Sequence, residues 1–187
     1  MLQSLSLENF RGFRSLHIDD LKRINLFVGK NNCGKTSILE AIEMLLLGPD
    51  PSAIIRGSTR RGEVVLAKEQ EKIGKKIDIS HLFYGHILKE SETFLKLTGI
   101  EEDITQHLKC EIHFSRTDSS NTEALFDIDD ELEPVLALVL KHSSYDKPIQ
   151  LPISSSGGLS TDSLRRATVS GFEKSRPVHF VRTEAID

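Results

Sequence analysis

The sequence predicts an α/β fold built around a phosphate-binding loop, and three observations predict it. Gly29-Lys30-Asn31-Asn32-Cys33-Gly34-Lys35-Thr36 fits G-x-x-x-x-G-K-[ST] at every fixed position. The apolar run Ile24-Asn25-Leu26-Phe27-Val28 before it has the make-up of a short buried strand. After it, Ile38, Ala41, Ile42, Leu45 and Leu46 recur at helical spacing from Lys35 to Leu47, and Gly48-Pro49 ends the pattern. Strand, glycine loop and helix therefore follow one another in the order that such a loop requires.

The chemistry of the loop follows from its residue types. Glycines let the backbone curl so that successive N–H groups point at phosphate oxygens. Lys35 is expected to reach the β- and γ-phosphates, Thr36 to hold a Mg²⁺ ion bridging them, and Ser37 to add a hydrogen bond. The helix that follows would turn its positive dipole end to the same anion. The expected ligand is ATP with Mg²⁺, and the expected binding set is Gly29, Lys30, Asn31, Asn32, Cys33, Gly34, Lys35, Thr36 and Ser37.

Ahead of the loop, Leu5 and Leu7, then Leu16 and Ile18, alternate with polar neighbours and predict two half-buried strands. Asn9-Phe10-Arg11-Gly12-Phe13-Arg14 joins them, with Gly12 as the turning point of a hairpin. Small nucleotide kinases and GTPases usually place the loop directly after the first strand, whereas here a strand pair precedes it.

Leu7-Glu8-Asn9-Phe10-Arg11-Gly12-Phe13, followed by Ile24 to Ile42 through the glycine loop, resembles the start of ABC-class ATPases of the RecF, SMC and OLD type. The likeness is greatest to bacterial OLD-like AAA-family ATP-binding proteins and covers residues 2 to 47. It implies an ABC-type first lobe, with antiparallel strands flanking the strand, loop and helix. It also implies that Arg11 and Arg14 approach the phosphates or the base, with Phe10 and Phe13 packing beside it. Read from the residues alone, a hairpin with core phenylalanines and surface arginines stays open. The function implied is MgATP binding that draws two ATPase heads together in DNA repair or anti-phage defence, with DNA and a Toprim-type nuclease as implied partners.

Beyond Pro51 the periodicity is less sharp. Arg56, Arg60 and Arg61 read as a solvated loop, with phosphate contact as the alternative. Residues 63 to 79, with the charged run Lys68-Glu69-Gln70-Glu71-Lys72, read as a surface helix. Ile79-Ser80-His81-Leu82-Phe83-Tyr84-Gly85-His86 is similar to a short motif of OLD-like ATPases; His81 and His86 are spaced poorly for a shared metal and read as structural or polar surface residues. Phe94 to Leu97 and Leu108 to Phe114 alternate as strands. Asp127 to Glu133 reads as a solvated acidic loop, and Pro134 to Leu140 as a strand or short helix.

Ser154-Ser155-Ser156-Gly157-Gly158-Leu159-Ser160 resembles the core of an ABC signature motif, ahead of a helix expected over Thr161 to Val169 and a strand over Val178 to Val181. Arg182-Thr183-Glu184 stands where the resemblance calls for an Asp-Glu pair, so a Ser/Gly-rich loop is preferred. The catalytic residues stay unassigned. All 187 residues are expected to form the first part of an ABC- or OLD-like domain without its second lobe, binding ATP but hydrolysing it poorly alone. Two alternatives stand beside this reading. One is a P-loop kinase with Arg165-Arg166 as its lid, and the other a nucleotide-dependent binding module without turnover.

Composition sets outer limits. Hydrophobic residues make up 38% and charged residues 28%, as in an ordinary globular protein. A net charge of −4 argues against a generic, strongly basic nucleic-acid binder. No apolar run is long enough for a membrane span, and the start at Met1 lacks a signal peptide, so a cytoplasmic protein without membrane contact is expected. Two cysteines, Cys33 and Cys110, indicate neither a disulfide framework nor a zinc site.

Overall fold

In a computed structural model, residues 1–69, 72–89, 92–115, 135–154 and 158–160 are described. The hairpin expected at the start is present. Strand β1 (Leu2–Phe10) pairs antiparallel with β2 (Phe13–Ile18), Leu7 opposite Leu16 and Phe10 opposite Phe13. Leu5 and Leu7 are fully buried, because the period of two along a strand sends alternate side chains to one face; Phe10, out of step with them, is also fully buried, beyond the left-handed backbone at Asn9 (φ 51).

The sheet grows from β1. Strands β5 (Phe94–Glu101), β6 (Ile104–Ser115), β7 (Val135–His142) and β8 (Tyr145–Pro152) complete a six-stranded antiparallel sheet in the order β2-β1-β5-β6-β7-β8. Its inner face carries Leu95 and Leu97 from β5, Leu108, Cys110 and Ile112 from β6, and Leu138 and Leu140 from β7. The alternation read over Phe94 to Leu97 and Leu108 to Phe114 is that of β5 and β6, and the described part of the next run, Val135 onward, is strand β7.

Helix α1 (Lys35–Leu47) packs on this face through Ile38, Ala41, Met44 and Leu45. At Gly99 an added Cβ would lie 2.6 Å from side-chain atoms of both Leu2 and Leu45, so this glycine sets how closely helix and sheet approach. Gly48 ends α1, its N–H donating to the Leu45 carbonyl at 3.2 Å. Helix α2 (Ser52–Arg61) follows and lies against the other side of α1.

Three expectations are corrected. The described part of residues 63 to 79 does not form a surface helix. Gly62 closes α2 in a left-handed conformation at φ 72, and β3 (Val64–Glu69) and β4 (Lys72–Asp78) then pair antiparallel. The β-branched Val64, Val65, Ile73 and Ile77 favour extended chain over helix, which the charged run at the tip had obscured. Gly158-Leu159-Ser160 is not a loop ahead of a helix but strand β9 (Gly158–Ser160), paired with β4 and burying Leu159 completely. Ile24 to Val28 is not a strand: Ile24, Leu26 and Val28 are 90%, 85% and 79% exposed, and only Phe27 turns partly to the core. A strand needs a neighbour for its backbone hydrogen bonds, and among the described residues none pairs with this run. The readings over Asp127 to Glu133, Thr161 to Val169, Val178 to Val181, Arg165-Arg166 and Arg182-Thr183-Glu184 lie outside the described residues.

Candidate functional site: a cavity around the glycine loop

The glycine loop enters α1 at its N-terminus, as its spacing implied. Gly34 precedes the first helical residue with φ 92, a conformation that side chains rarely adopt, and an added Cβ would meet the Phe13 ring at 2.4 Å. A Cβ at Gly29 would lie 2.8 Å from the Cys33 sulfur. Both glycines are thus required by close approach within a curled backbone. No side chain caps α1 and no acidic residue lies in its first turn, so its N-terminal N–H groups face the loop without a protein anion.

Lys35 folds back over the loop. Its ammonium donates to the carbonyls of Gly29 and Lys30, each at 2.8 Å, and lies 3.7 Å from the Cys33 sulfur. Thr36 is exposed on the first turn. Around this group lies a cavity of about 670 Å³, lined by Arg11, Gly12, Phe13, residues 31 to 37, Arg61, Glu63, His81 and His86. A loop whose glycines admit no side chain, an open helix N-terminus, a lysine and a hydroxyl are the donor set that MgATP requires, so the residues fit that ligand.

One wall is an ion-pair network that the sequence did not disclose. Arg11 is 6% exposed; its Nε lies 2.7 Å from Glu40, and its Nη1 donates to Glu63 at 2.7 Å. Arg61 donates through Nε to both Glu40 oxygens, at 2.9 and 3.0 Å, and through Nη2 to the Ser37 hydroxyl at 3.0 Å. Deeper along α1, Glu43 pairs with Arg60 and with Arg56. Arg56, Arg60 and Arg61 are therefore not a solvated loop: they sit on α2 and neutralise two carboxylates that α1 buries to 2% and 3% exposure. The signal was present as Glu40 and Glu43 three apart on the helix, on the face shared with Ser37.

The two arginines proposed for the nucleotide part company. Arg11 lines the cavity but is held between carboxylates, whereas Arg14 is exposed and not among the lining residues. Phe10 is fully buried, and Phe13 lies over Gly34 at the cavity. Ser37 is 5% exposed and accepts from Arg61. His81 and His86, read as surface or structural residues, both reach the cavity. Among the described residues there is no cluster of three or more His, Cys, Asp or Glu suited to a metal.

A family profile for AAA ATPase domains matches residues 1–148. The chain belongs to this family. This AAA ATPase domain is also 51% identical over 47 residues to the DNA replication and repair protein RecF of Clostridioides difficile, across 25% of this chain and 13% of that protein. To RecF of Clostridium kluyveri it is 30% identical over 105 residues, covering 54% of this chain and 27% of the relative. To an ATP/GTP phosphatase of Helicobacter pylori it is 39% identical over 46 residues, 25% of this chain and 12% of that protein. The chain thus spans about a quarter or less of the length of these relatives. The resemblance to RecF-type ATPases is borne out. Among the described residues, no helix of this AAA ATPase domain is long and apolar enough to cross a membrane.

Proposed function

We propose that the chain binds MgATP as part of an ATPase head of the RecF and OLD-like kind, and that the bound nucleotide draws two heads together in DNA repair or anti-phage defence. The observation that carries this reading is the loop itself: Gly29 and Gly34 admit no side chain, and Lys35 lies over an uncapped helix N-terminus on a cavity of about 670 Å³. MgATP held there would supply the phosphoanhydride to be cleaved and a divalent charge beside its phosphates. The loop N–H groups and Lys35 would bind and orient the phosphates, and the Thr36 hydroxyl would be the protein's ligand to Mg²⁺. Lys35 would exchange the Gly29 and Lys30 carbonyls for phosphate oxygens, trading neutral acceptors for charged ones.

The exposed run Ile24, Leu26 and Val28 supports completion of the head by a further strand. Three apolar side chains at period two, immediately before the loop, have the pattern of a strand awaiting a sheet. DNA, a Toprim-type nuclease and a cytoplasmic location belong to the same proposal.

Titration calorimetry with MgATP tests the reading. Lys35→Ala should weaken binding by about 1.5–3 kcal/mol, the worth of a hydrogen bond to a charged group. Thr36→Ala should weaken MgATP binding more than binding of ATP with the metal chelated. Wild-type affinity in Lys35→Ala would rule the site out.

A further inference from the structure

The polar groups on the cavity fall into two sets. Lys35 is held by loop carbonyls, Arg11 by Glu40 and Glu63, and Arg61 by Glu40 and Ser37. His81 and His86 are held differently. Their rings meet edge to face, centroids 4.8 Å apart, and both residues are exposed. His81 Nε2 lies 3.7 Å from Asp78 Oδ2, beyond hydrogen-bond reach, and among the described residues no side chain hydrogen-bonds the His86 ring.

The backbone beneath the two rings is fixed. Asp78 Oδ1 accepts from the Ser80 N–H at 2.9 Å, the Arg11 N–H donates to the Leu82 carbonyl at 2.8 Å, and the Tyr84 N–H to the Asn9 carbonyl at 3.0 Å. Leu82 and Phe83 are each 1% exposed. Gly85 and His86 then take φ of 82° and 58°. Left-handed backbone is uncommon for a residue with a side chain, and such positions gather at ligand sites. Two imidazoles on an anchored backbone, without buried partners, face a cavity whose neighbouring wall is an anion-binding loop.

We propose that His81 and His86 bind the phosphate chain of the nucleotide, forming a second contact set on the cavity whose first is the Gly29 to Thr36 loop. This rests on the nucleotide reading above. A neutral imidazole donates one N–H and an imidazolium two, and the change falls in the physiological range. A polyphosphate beside an imidazole favours its protonated form. Binding therefore takes up protons, and affinity rises as pH falls. The charged and titratable groups around the pair are Asp78, Glu63, Arg11, Arg61, Lys35 and Cys33. All six are common to wild type and the histidine variants, so they cancel in the difference.

The test is MgATP affinity at about pH 6 and about pH 8 for wild type, His81→Gln/His86→Gln and His86→Lys, since the difference between proteins cancels the nucleotide's own titration. Wild type should bind more tightly at the lower pH. The double variant should lose that slope and bind about tenfold more weakly in acid, the worth of one charge-assisted hydrogen bond. The fixed charge of His86→Lys should give acid-like affinity at both values. A double variant that keeps the wild-type slope overturns the proposal. So does a loss equal at both pH values, which would mean that the rings pack on the base. Lys35→Ala, measured alongside, separates the two ideas: binding lost there with the histidine slope intact rejects only this proposal, whereas binding unaffected there rejects the nucleotide site itself.

Discussion

Arg11 shows how a single side chain changes meaning between sequence and structure. Its partner Glu63 lies 52 positions along the chain, so no local pattern could pair them. The glycine loop, in contrast, was legible because its chemistry is written in eight consecutive residues. The two cysteines divide in the same way. Cys110 lies on the inner face of β6, fully buried, and burial, with the charge of Glu111 adding to it, pushes its thiol up to about 12. Cys33 is exposed on the loop. Thiolate is the reactive form, so a thiol reagent at neutral pH should modify one cysteine of the folded protein and two after denaturation. ATP should slow that one reaction, because Cys33 lines the proposed phosphate cavity. Two equivalents consumed by the native protein would contradict the burial of Cys110.

At the scale of elements, α1 is the joint of the structure because two of its faces are buried. Ile38, Ala41, Met44 and Leu45 meet the sheet, and Ser37, Glu40 and Glu43 meet α2. The apolar face was readable from periodicity. The polar face was not, since glutamates at that spacing are ordinarily solvated. Glu40 fastens three elements at once: α1, the β1–β2 turn through Arg11, and α2 through Arg61. Glu40→Ala should therefore cost about 1–3 kcal/mol, because Arg11 and Arg61 lose their shared carboxylate while keeping Glu63 and Ser37. Urea denaturation measures it, and a loss under about 1 kcal/mol would show that water relieves both arginines. The β3–β4 hairpin was misread for a related reason: its pairing is fixed by a partner strand, whereas the charged tip dominates any window that contains it.

For the molecule as a whole, the antiparallel sheet and α1 present the loop, while the run expected to feed that loop as a strand, Ile24, Leu26 and Val28, pairs with none of the described residues. The sequence marked that run as apolar and extended, but a strand also needs a hydrogen-bonded neighbour, which local composition does not encode. Turnover should follow the same logic. Hydrolysis needs a carboxylate, or an equivalent, to orient the attacking water against the γ-phosphate. Among the described residues lining the cavity the one carboxylate is Glu63, and Arg11 donates to both of its oxygens, at 2.7 and 3.4 Å, so they are engaged by a guanidinium rather than free to orient a water. On the proposed reading, in which the water-orienting group comes from another surface, phosphate release should be about 10²–10⁴ times slower before that surface is added than after it, the usual cost of an absent general base. Steady-state phosphate release from the purified chain measures it, with and without a longer RecF-like head added to supply the second surface. Fast turnover by the chain alone, abolished in Glu63→Gln or Glu184→Gln, would place the base within these residues and overturn the expectation.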